Sequence, residues 1–526
     1  MILFILGEFV TQTCFEGRFG EEKGSSQFGS QIMIHQSEKD TQVAQAHISY
    51  TEVNFAGQAF RLGRYPIHFH LNGDMSQSYV EGCGIHETFN RAINIHGSSN
   101  TNILKNVVYN VMGGALFLED GIEVNNTYDG NLVAFSRASS SLLNDDITPA
   151  CYWVTNPDNT YINNAAAGGT HFGWWYRMHE HPDGPSFTTG VCPRRVPLRK
   201  FQHNSAHSFG WFGIWMFQDY YPVVDGACAG DTGAQPAVFE DFKAWNNEKG
   251  VEFVNFGALQ IIRGQFVQNA LAGFEGKALK NAPRRDSALS ALINDTLIVG
   301  QSRIPEVQNN QGVSVAGVIL PYGESFQVHN TKFVNFPSSS SDSSVAIKWT
   351  SIDGTCIDRC GGYIYQASEL QFEDVDHRIH YRWGHEGVIE DIDGSLCGTV
   401  GGSVVPGWGT SMPTDCTTCS APYFASGITP VTCPGSYSFH RLAFNDVAPA
   451  SLEGKNLTIT NSFGVSIGEF RTKRLTHKPG WMVVLVDGES YTLDWDNAEN
   501  MTNVSFTGAM TNMEVGEQTF HMQFMF

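Results

Sequence analysis

Short stretches in which a small residue is followed by apolar side chains at alternate positions recur along the first half of the chain. Six of them are Ala92-Ile-Asn-Ile-His96, Ala115-Leu-Phe-Leu-Glu119, Ala150-Cys-Tyr-Trp-Val154, Gly173-Trp-Trp-Tyr-Arg177, Gly213-Ile-Trp-Met-Phe217 and Gly250-Val-Glu-Phe-Val254. Alternation over such a short length, bounded by glycine, asparagine and serine, is typical of β-strands. The pattern therefore predicts an all-β chain of many short strands.

The strands recur at a regular interval that insertions interrupt. With Gly273 added, their first residues are 23, 35, 23, 40, 37 and 23 positions apart, which a period of 23 with insertions of 12, 17 and 14 residues explains. Each repeat also has an upstream strand that contains asparagine, and asparagines at turns can bond to their copies in the next layer. A parallel β-helix has this combination, whereas leucine-rich repeats need a leucine pattern that is absent here.

The period divides the chain into three predicted parts. We predict a parallel β-helix over residues 1–300, with insertions near 137–149, 178–198 and 218–236. An irregular continuation with cysteine-containing loops follows over 301–435, and a β-rich, incomplete portion occupies 436–526. The opening residues make a poor signal peptide and no run of 18 apolar residues occurs, so a membrane span would lie outside this sequence.

Strand alternation assigns the side chains to two faces. The core face is predicted to hold Ile93/Ile95, Leu116/Leu118, Cys151/Trp153, Trp174/Tyr176, Ile214/Met216 and Val251/Phe253. The segment Gly63-Arg-Tyr-Pro-Ile-His-Phe-His-Leu-Asn-Gly-Asp74 fits the same frame, with Ile67 and Phe69 inside. His68 and His70 then point outward, each at the start of a column of outer residues.

One outer column carries aromatic rings, predicted at Phe117, Tyr152, Trp175 and Trp215. Large apolar patches on a protein surface indicate a partner, and such rings can stack on the C–H faces of sugars. We therefore predict that these four rings, together with His181, bind a glycan or else an extracellular protein. The alternative is that an insertion or another sheet covers the rings.

Charge restricts the partners further. With 32 basic and 53 acidic residues the formal charge is -21, which argues against nucleic acid. A polyanionic glycan would need calcium ions or local arginines to bridge it. The candidate arginines are Arg64, Arg177, Arg194 and Arg195.

Histidines and carboxylates cluster near one end of the aromatic column. The candidate catalytic residues are His68, His70, His96, Glu119, Asp120, Asp145, Asp146, Arg177 and His179. Imidazoles at positions i and i+2 of one strand can chelate a metal, so His68 and His70, with Asp74, are candidate ligands. The same groups can act as general acid and base, or carboxylates with an arginine can hold calcium and an acidic sugar. A solvated strand face is the plain alternative.

The chain contains 11 cysteines without zinc-site spacing, which favours disulfides and the secretory pathway. Cys192 and Cys228 lie in insertions of successive rungs, so we predict that they are bonded. Cys356 and Cys360 can close a small loop, and Cys416 or Cys419 can join Cys433. Glycosylation motifs, which are compatible with this setting, occur at Asn125, Asn294, Asn456, Asn500 and Asn503.

Three segments resemble the fibrocystin-like family. They are the histidine-containing segment from Gly63 to Asp74, Ser141-Leu-Leu-Asn-Asp-Asp-Ile-Thr-Pro149 and His181-Pro-Asp-Gly-Pro-Ser186. Resemblance continues through residues 168–177, 209–215, 388–395 and 438–445. It implies a right-handed parallel β-helix of a secreted or cell-surface protein, preceded by a glycine-rich domain that is not visible here. The odd cysteine number and abrupt start agree with a fragment of a longer chain.

The first of these motifs is also similar to that of cell-surface hyaluronidases and hyaluronan-binding proteins. That branch implies calcium-dependent depolymerisation of hyaluronan, whereas the fibrocystin branch has no established catalysis. The Asn-Asp-Asp and His-Pro-Asp-Gly-Pro motifs follow the fibrocystin branch. We therefore predict an extracellular, glycan- or protein-binding β-helix module, with a calcium-dependent glycan-degrading enzyme as the alternative.

Overall fold

A computed structural model describes most of the chain. The residues described are 13–16, 27–36, 44–139, 144–230, 232–280, 288–303, 314–323, 325–338, 344–350, 363–382, 387–407, 411–420, 428–468, 470, 480–496 and 504–510. They divide into two compact units, one of residues 1–274 and 280–314 and the other of residues 275–279 and 315–526.

The first unit is a coil of short strands that pass through three parallel sheets in turn. After Thr51–Asn54 in the first sheet come Ile67–Asp74 in the second and Tyr79–Glu81 in the third, and Gly84–Thr88 then returns to the first sheet. Each strand pairs in parallel with the strand one turn later in its own sheet. The predicted parallel β-helix is therefore confirmed.

The strands of this unit are grouped by sheet. The first sheet contains Thr13–Glu16, Thr51–Asn54, Gly84–Thr88, Val107–Met112, Leu132–Arg137, Ala165–Gly169, Ser205–Phe209, Lys243–Trp245, Gln265–Val267 and Thr296–Val299. The second sheet contains Ile32–His35, Ile67–Asp74, Ile93–Ser99, Leu116–Leu118, Ala150–Val154, Phe172–Tyr176, Phe212–Tyr220, Lys249–Phe256 and the beginning of Ala272–Leu279, whose residues 275–279 belong to the second unit. The third sheet contains His47–Ser49, Tyr79–Glu81, Asn102–Leu104, Thr127–Asp129, Thr160–Ile162, Lys200–Gln202, Ala237–Glu240, Leu259–Ile262 and Leu292–Asn294.

Within the described residues of this unit, helices and 3₁₀ turns occur in the insertions. The α-helix Asn144–Ile147 lies in the first insertion, and the 3₁₀ turns Gly184–Ser186 and Pro193–Arg195 lie in the second. No helix among the described residues is long and apolar enough to cross a membrane.

A ladder of buried asparagines joins successive turns of the coil, as the recurrent asparagines predicted. Asn106, Asn131, Asn164 and Asn204 follow one another one turn apart. In each step the side-chain oxygen of the later asparagine accepts the backbone N–H and the Nδ2–H of the earlier one, at 2.9–3.1 Å. The ladder satisfies polar groups at turns where no strand pairing is available.

The register of the second sheet agrees with the predicted core, with one correction. Ile67, Ile93 and Leu116 are paired inside, but the next residue inside is Tyr152 rather than Cys151, and Trp174 follows it. The predictions that Tyr152 points outward and Trp153 inward are therefore wrong. Cys151, not Ala150, holds the small first position, and every side chain of this strand is apolar, so alternation alone does not fix its register.

The inward position of Tyr152 has a clear physical reason. Its ring stacks on Trp174 with centroids 4.4 Å apart. Its hydroxyl donates to the buried backbone oxygen of Asn131 at 3.0 Å. A tyrosine can be buried when its hydroxyl finds such an acceptor.

The second unit begins with parallel strands and ends with antiparallel ones. Its parallel strands form three sets. Thr331–Phe336 pairs with Gln371–Val375, and Ala316–Leu320 pairs with Val345–Trp349, which pairs with Ile379–His380. Gln327–His329 pairs with Tyr363–Ser368, which pairs with Gly387–Asp391. Antiparallel strands Gly402–Pro406, Pro430–Cys433 and Thr417–Thr418 follow. Two three-stranded antiparallel sheets share a core around Trp481. One contains Phe439–Ala448, Gly480–Val486 and Ser505–Met510, and the other contains Leu457–Thr460, Val465–Gly468 and Thr492–Trp495. The 3₁₀ turn Ala450–Leu452 lies between them in sequence.

The predicted disulfide between Cys192 and Cys228 is confirmed, with Cα atoms 5.2 Å apart. Cys416 bonds to Cys433, one of the two pairings that the sequence left open, and Cys419 bonds to Cys397. Cys356 and Cys360 lie outside the described residues. Disulfides of this number fit an oxidising, extracellular location.

Candidate functional site

Three histidines meet on the outer face of the second sheet. His68 and His70 lie two positions apart on strand Ile67–Asp74, and His96 is paired with His70 on the neighbouring strand. The ring centroids of His70 lie 5.0 Å from those of His68 and His96. One ring nitrogen from each histidine lies within 4.8 Å of the others. We call these three residues the histidine cluster.

The three histidines of the cluster differ in how far they are buried. His68 is 1% exposed and His96 is 8% exposed, whereas His70 is half-buried. Burial lowers the pKa of His68 to about 3 and, assisted by the charges of His96 and His35, also lowers the pKa of His70. Both shifts favour the neutral imidazole, the form in which a histidine binds a metal ion.

Two carboxylates flank His96. Its Nε2 lies 2.9 Å from Asp120 Oδ2 and its Nδ1 lies 3.5 Å from Glu119 Oε2. Burial alone would lower the pKa of His96, but the Asp120 hydrogen bond and the Glu119 charge outweigh it, so the pKa is raised. The Glu119 side chain is 18% exposed, which gives the cluster a route to solvent.

A buried arginine supports this arrangement from below. Arg91 Nε donates to Asp146 Oδ1 at 3.0 Å, and its Nη1 donates to Asn94 Oδ1 at 3.3 Å and to the hydroxyl of Tyr65 at 3.2 Å. Its guanidinium lies 3.6 Å from the centroid of the Phe117 ring. Arg91 and Asp146 are 3% and 1% exposed. Asn94 in turn donates to Glu119 at 2.6 Å, so the arginine network fixes the carboxylate.

The second insertion packs against Asp120. The backbone N–H of Asp183 donates to the carbonyl oxygen of Asp120 at 2.8 Å. Gly184 has a φ of 58°, and a Cβ there would lie 2.8 Å from the Asp120 carboxylate. Only glycine allows this close approach without strain. His179 belongs to this loop, contacts Arg177 and lies 3.2 Å from Asp183. Arg177 directly follows strand Phe172–Tyr176, and its backbone N–H donates to Val154 at 2.8 Å.

The aromatic column continues from the histidine cluster along the same sheet. In register with His68 and Asn94 are Phe117, Trp153, Trp175 and Trp215. Phe117 and Trp175, which were predicted to be exposed, are buried at 2% and 6% exposure. The rings pack on one another and on Phe172 and Phe212, which lie beside them.

Among the described residues, the aromatic column reaches solvent at its Trp215 end. Trp215 and Phe217 are half-buried and stacked, with ring centroids 4.7 Å apart, and Trp211 is 40% exposed. Trp211 and Trp215 meet edge to face at 6.4 Å. We call Trp211, Trp215 and Phe217 the open aromatic edge.

Other predicted site residues lie elsewhere. Asp74 is exposed and bonded to Asn100 and Ser76, so it is not part of the histidine cluster. His181 lies 3.4 Å from the sulfur of Cys192, beside the disulfide rather than the rings. Asp145 lies in helix Asn144–Ile147. Among the glycosylation motifs, Asn125 and Asn456 are exposed, Asn294 is half-buried, and Asn500 and Asn503 lie outside the described residues.

Sequence reasoning missed Arg91 and Tyr65. Tyr65 lies inside the quoted histidine motif, and Arg91 immediately precedes the small residue that opens the next rung. A charged residue at a position that should be buried is a usable signal, because burial requires a partner. That signal points to a buried ion pair without identifying Asp146 as the partner.

The coil of three sheets, with its histidine-bearing outer face, defines the chain as a parallel β-helix protein. Residues 27–214 match the family model described as CEMIP beta-helix. Mouse Fibrocystin-L is 44% identical over 509 residues, which cover 96% of this chain and 12% of Fibrocystin-L. The resemblance to the fibrocystin-like family is thereby confirmed, and the chain spans about an eighth of that relative's length.

More distant similarity extends to two other proteins. The mouse Cell migration-inducing and hyaluronan-binding protein is 26% identical over 538 residues, covering 86% of this chain and 38% of that protein. The human Cell surface hyaluronidase CEMIP2 is 27% identical over 372 residues, covering 59% of this chain and 26% of that protein.

Proposed function

We propose that the chain is an extracellular β-helix module that binds a glycan at the open aromatic edge. The observation that carries this proposal is that the aromatic column, buried along most of its length, ends in three rings that reach solvent. A tryptophan ring presents a flat apolar surface that suits the C–H face of a sugar. Trp211, which is 40% exposed, offers most of this surface, because the N–H of Trp215 is donated to Glu252 at 3.1 Å and its ring stacks on Phe172 and Phe217. An extracellular protein ligand is the other kind of partner for such a surface.

Charge favours a glycan with little negative charge. The chain carries a formal charge of -21. Two of the arginines that were candidates to offset it have partners of their own. Arg194 pairs with Asp219 at 3.3 Å, and Arg195 donates to the backbone oxygens of Ala227 and Gly230. A polyanion therefore gains little from them.

Replacing Trp211 or Trp215 with alanine is expected to weaken glycan binding about tenfold, because each ring contributes roughly 1–1.5 kcal/mol of stacking. Binding is measured first on an array of neutral and acidic glycans and then by titration of the best ligand. Tyr109→Ala is the matched control, since Tyr109 is an exposed aromatic residue of the first sheet. Equal binding by the tryptophan variants, or no glycan signal at all, contradicts the proposal and leaves a protein ligand.

A second function, depolymerisation of a glycan of the hyaluronan type, is favoured by one feature of the site. His96 lies between two carboxylates, and one of them, Glu119, is 18% exposed, so a proton donor and a proton acceptor lie side by side and one of them reaches the surface. Similarity to the relative named Cell surface hyaluronidase CEMIP2 is the second reason for this proposal.

If this second function holds, Glu119→Gln is expected to lower the depolymerisation rate roughly a hundredfold, which is typical for loss of a general acid or base. The readout is the chain length of hyaluronan after incubation, with and without calcium. Glu52→Gln is the control, because Glu52 accepts a hydrogen bond from His86 on the first sheet, away from the cluster. Unchanged chain length with the unmodified protein in both conditions rejects the activity.

A further inference from the structure

One ring nitrogen of each histidine in the cluster lies within 4.8 Å of the others, and in His68 and His96 the second ring nitrogen is held by a hydrogen-bond acceptor. His68 Nδ1 lies 3.0 Å from the carbonyl oxygen of Gly63. A carbonyl oxygen only accepts hydrogen bonds, so Nδ1 carries the hydrogen and Nε2 keeps its lone pair. Among the described residues, this Nε2 is buried without a hydrogen-bond partner. Such an unsatisfied atom needs an explanation, and a bound ion is one.

His96 is oriented in a complementary way. Its Nε2 is held by the Asp120 carboxylate at 2.9 Å, which leaves Nδ1 directed toward Glu119 and the cluster. Metal-binding histidines commonly donate their second N–H to a backbone carbonyl or a carboxylate, which fixes the ring and its tautomer. His68 has the first arrangement, with Gly63, and His96 has the second, with Asp120.

A fourth group is close enough to complete a coordination shell. Glu119 Oε2 lies 4.0 Å from His68 Nε2 and 3.5 Å from His96 Nδ1. Ligands at about 2.0–2.1 Å in a tetrahedral zinc site are roughly 3.3 Å apart. The two Glu119 distances are close to that spacing, and the histidine nitrogens, which lie within 4.8 Å of one another, would have to approach by up to about 1.5 Å. Arg91 pairs with Asp146 at 3.0 Å and also lies 3.7 Å from Glu119 Oε1, the oxygen that does not face the histidines.

We propose that His68, His70 and His96 bind one zinc ion, with Glu119 at the fourth, solvent-facing position. Three imidazole ligands suit zinc and other late transition metals, whereas calcium prefers a shell of oxygens. The ligand set differs from the predicted one, because His96 on the next strand takes the place of Asp74. The other histidine group, His181 with Cys192 and Cys228, is not a competing site, since its sulfurs are joined in a disulfide.

The test is zinc binding by the whole chain, stripped with a chelator and free of any affinity tag, in competition with a chromogenic zinc chelator. The expected result is one zinc ion per chain. His70→Gln and His96→Gln are expected to weaken binding at least tenfold, and Asp120→Asn, which removes only the support of His96, by about 10–100-fold. His70 is half-buried, so its replacement is compatible with folding.

Matched variants separate the site from general histidine binding. His86→Gln removes an imidazole that pairs with a carboxylate on the first sheet, and Asp74→Asn removes the originally predicted ligand. Both are expected to bind zinc like the unmodified chain, and cobalt loading is expected to give the visible absorption of a tetrahedral site. Absence of zinc binding, or equal affinity in His70→Gln and His86→Gln, overturns the proposal. Glycan binding at the open aromatic edge is measured separately and does not depend on this outcome.

Discussion

Replacing Arg91 with methionine is expected to destabilise the surrounding rungs by about 3–5 kcal/mol, the usual cost of removing one partner of a buried ion pair. The change leaves the Asp146 carboxylate buried at 1% exposure without its cation. Asn94 and Tyr65 lose the Nη1–H that they accept, and Phe117 loses the guanidinium above its ring. Methionine fills the volume but supplies none of the hydrogen bonds.

Hydrogen exchange read by mass spectrometry suits this measurement. In a solenoid each turn contacts only its neighbours, so the loss of stability is concentrated near the mutation. Amides of strands Ile93–Ser99 and Leu116–Leu118 are expected to exchange at least a hundredfold faster in Arg91→Met. Strands Gln265–Val267 and Leu259–Ile262 are expected to keep their protection.

An exposed ion pair provides the comparison. Arg263 pairs with Glu240 and Asp241 at the surface of the same unit. Because exposed pairs contribute little, Arg263→Met is expected to leave exchange unchanged in every strand. Protection around Arg91 that is the same in Arg91→Met and in the unmodified chain contradicts a stabilising role for the buried pair.

The coil itself was predictable because its signal is repeated. A period of 23 residues, small residues at the start of strands and recurrent asparagines all indicate one architecture, and each additional repeat adds evidence. The predicted strand register was wrong where the sequence pattern allowed two registers. In strand Ala150–Val154 two small residues stand side by side and all five residues are apolar, so packing of Tyr152 against Trp174 decided the register.

The candidate site was predictable only in part, because it depends on distances between rungs. Alternation placed His68 and His70 on one face, and the period placed His96 beside them. Nothing in the sequence shows that Asn94 connects Arg91 to Glu119, or that burial holds His68 neutral. Such connections come from side-chain reach and desolvation, which a linear pattern does not encode.

Replacing Asn164 with alanine is expected to destabilise the surrounding turns by about 2–6 kcal/mol. The Asn164 side chain accepts the backbone N–H of Asn131 at 3.0 Å and donates to the carbonyl oxygen of Tyr128 at 2.9 Å. Both backbone groups lose these partners at a buried turn, and each unsatisfied group costs about 1–3 kcal/mol. The expected readout is faster exchange of the Asn131 amide and of strands Leu132–Arg137 and Ala165–Gly169.

The neighbouring asparagine separates this ladder effect from the effect of any turn mutation. Asn163 is exposed and has a φ of 57°, so Asn163→Gly keeps the left-handed backbone while removing only a surface hydrogen bond to Asp129. Exchange in that variant is expected to match the unmodified chain. If Asn164→Ala also matches it, the ladder does not hold the turns together. If protection instead falls by similar amounts in distant rungs, the coil unfolds as one cooperative body rather than turn by turn, because nearest-neighbour coupling predicts an effect that decays with distance from Asn164.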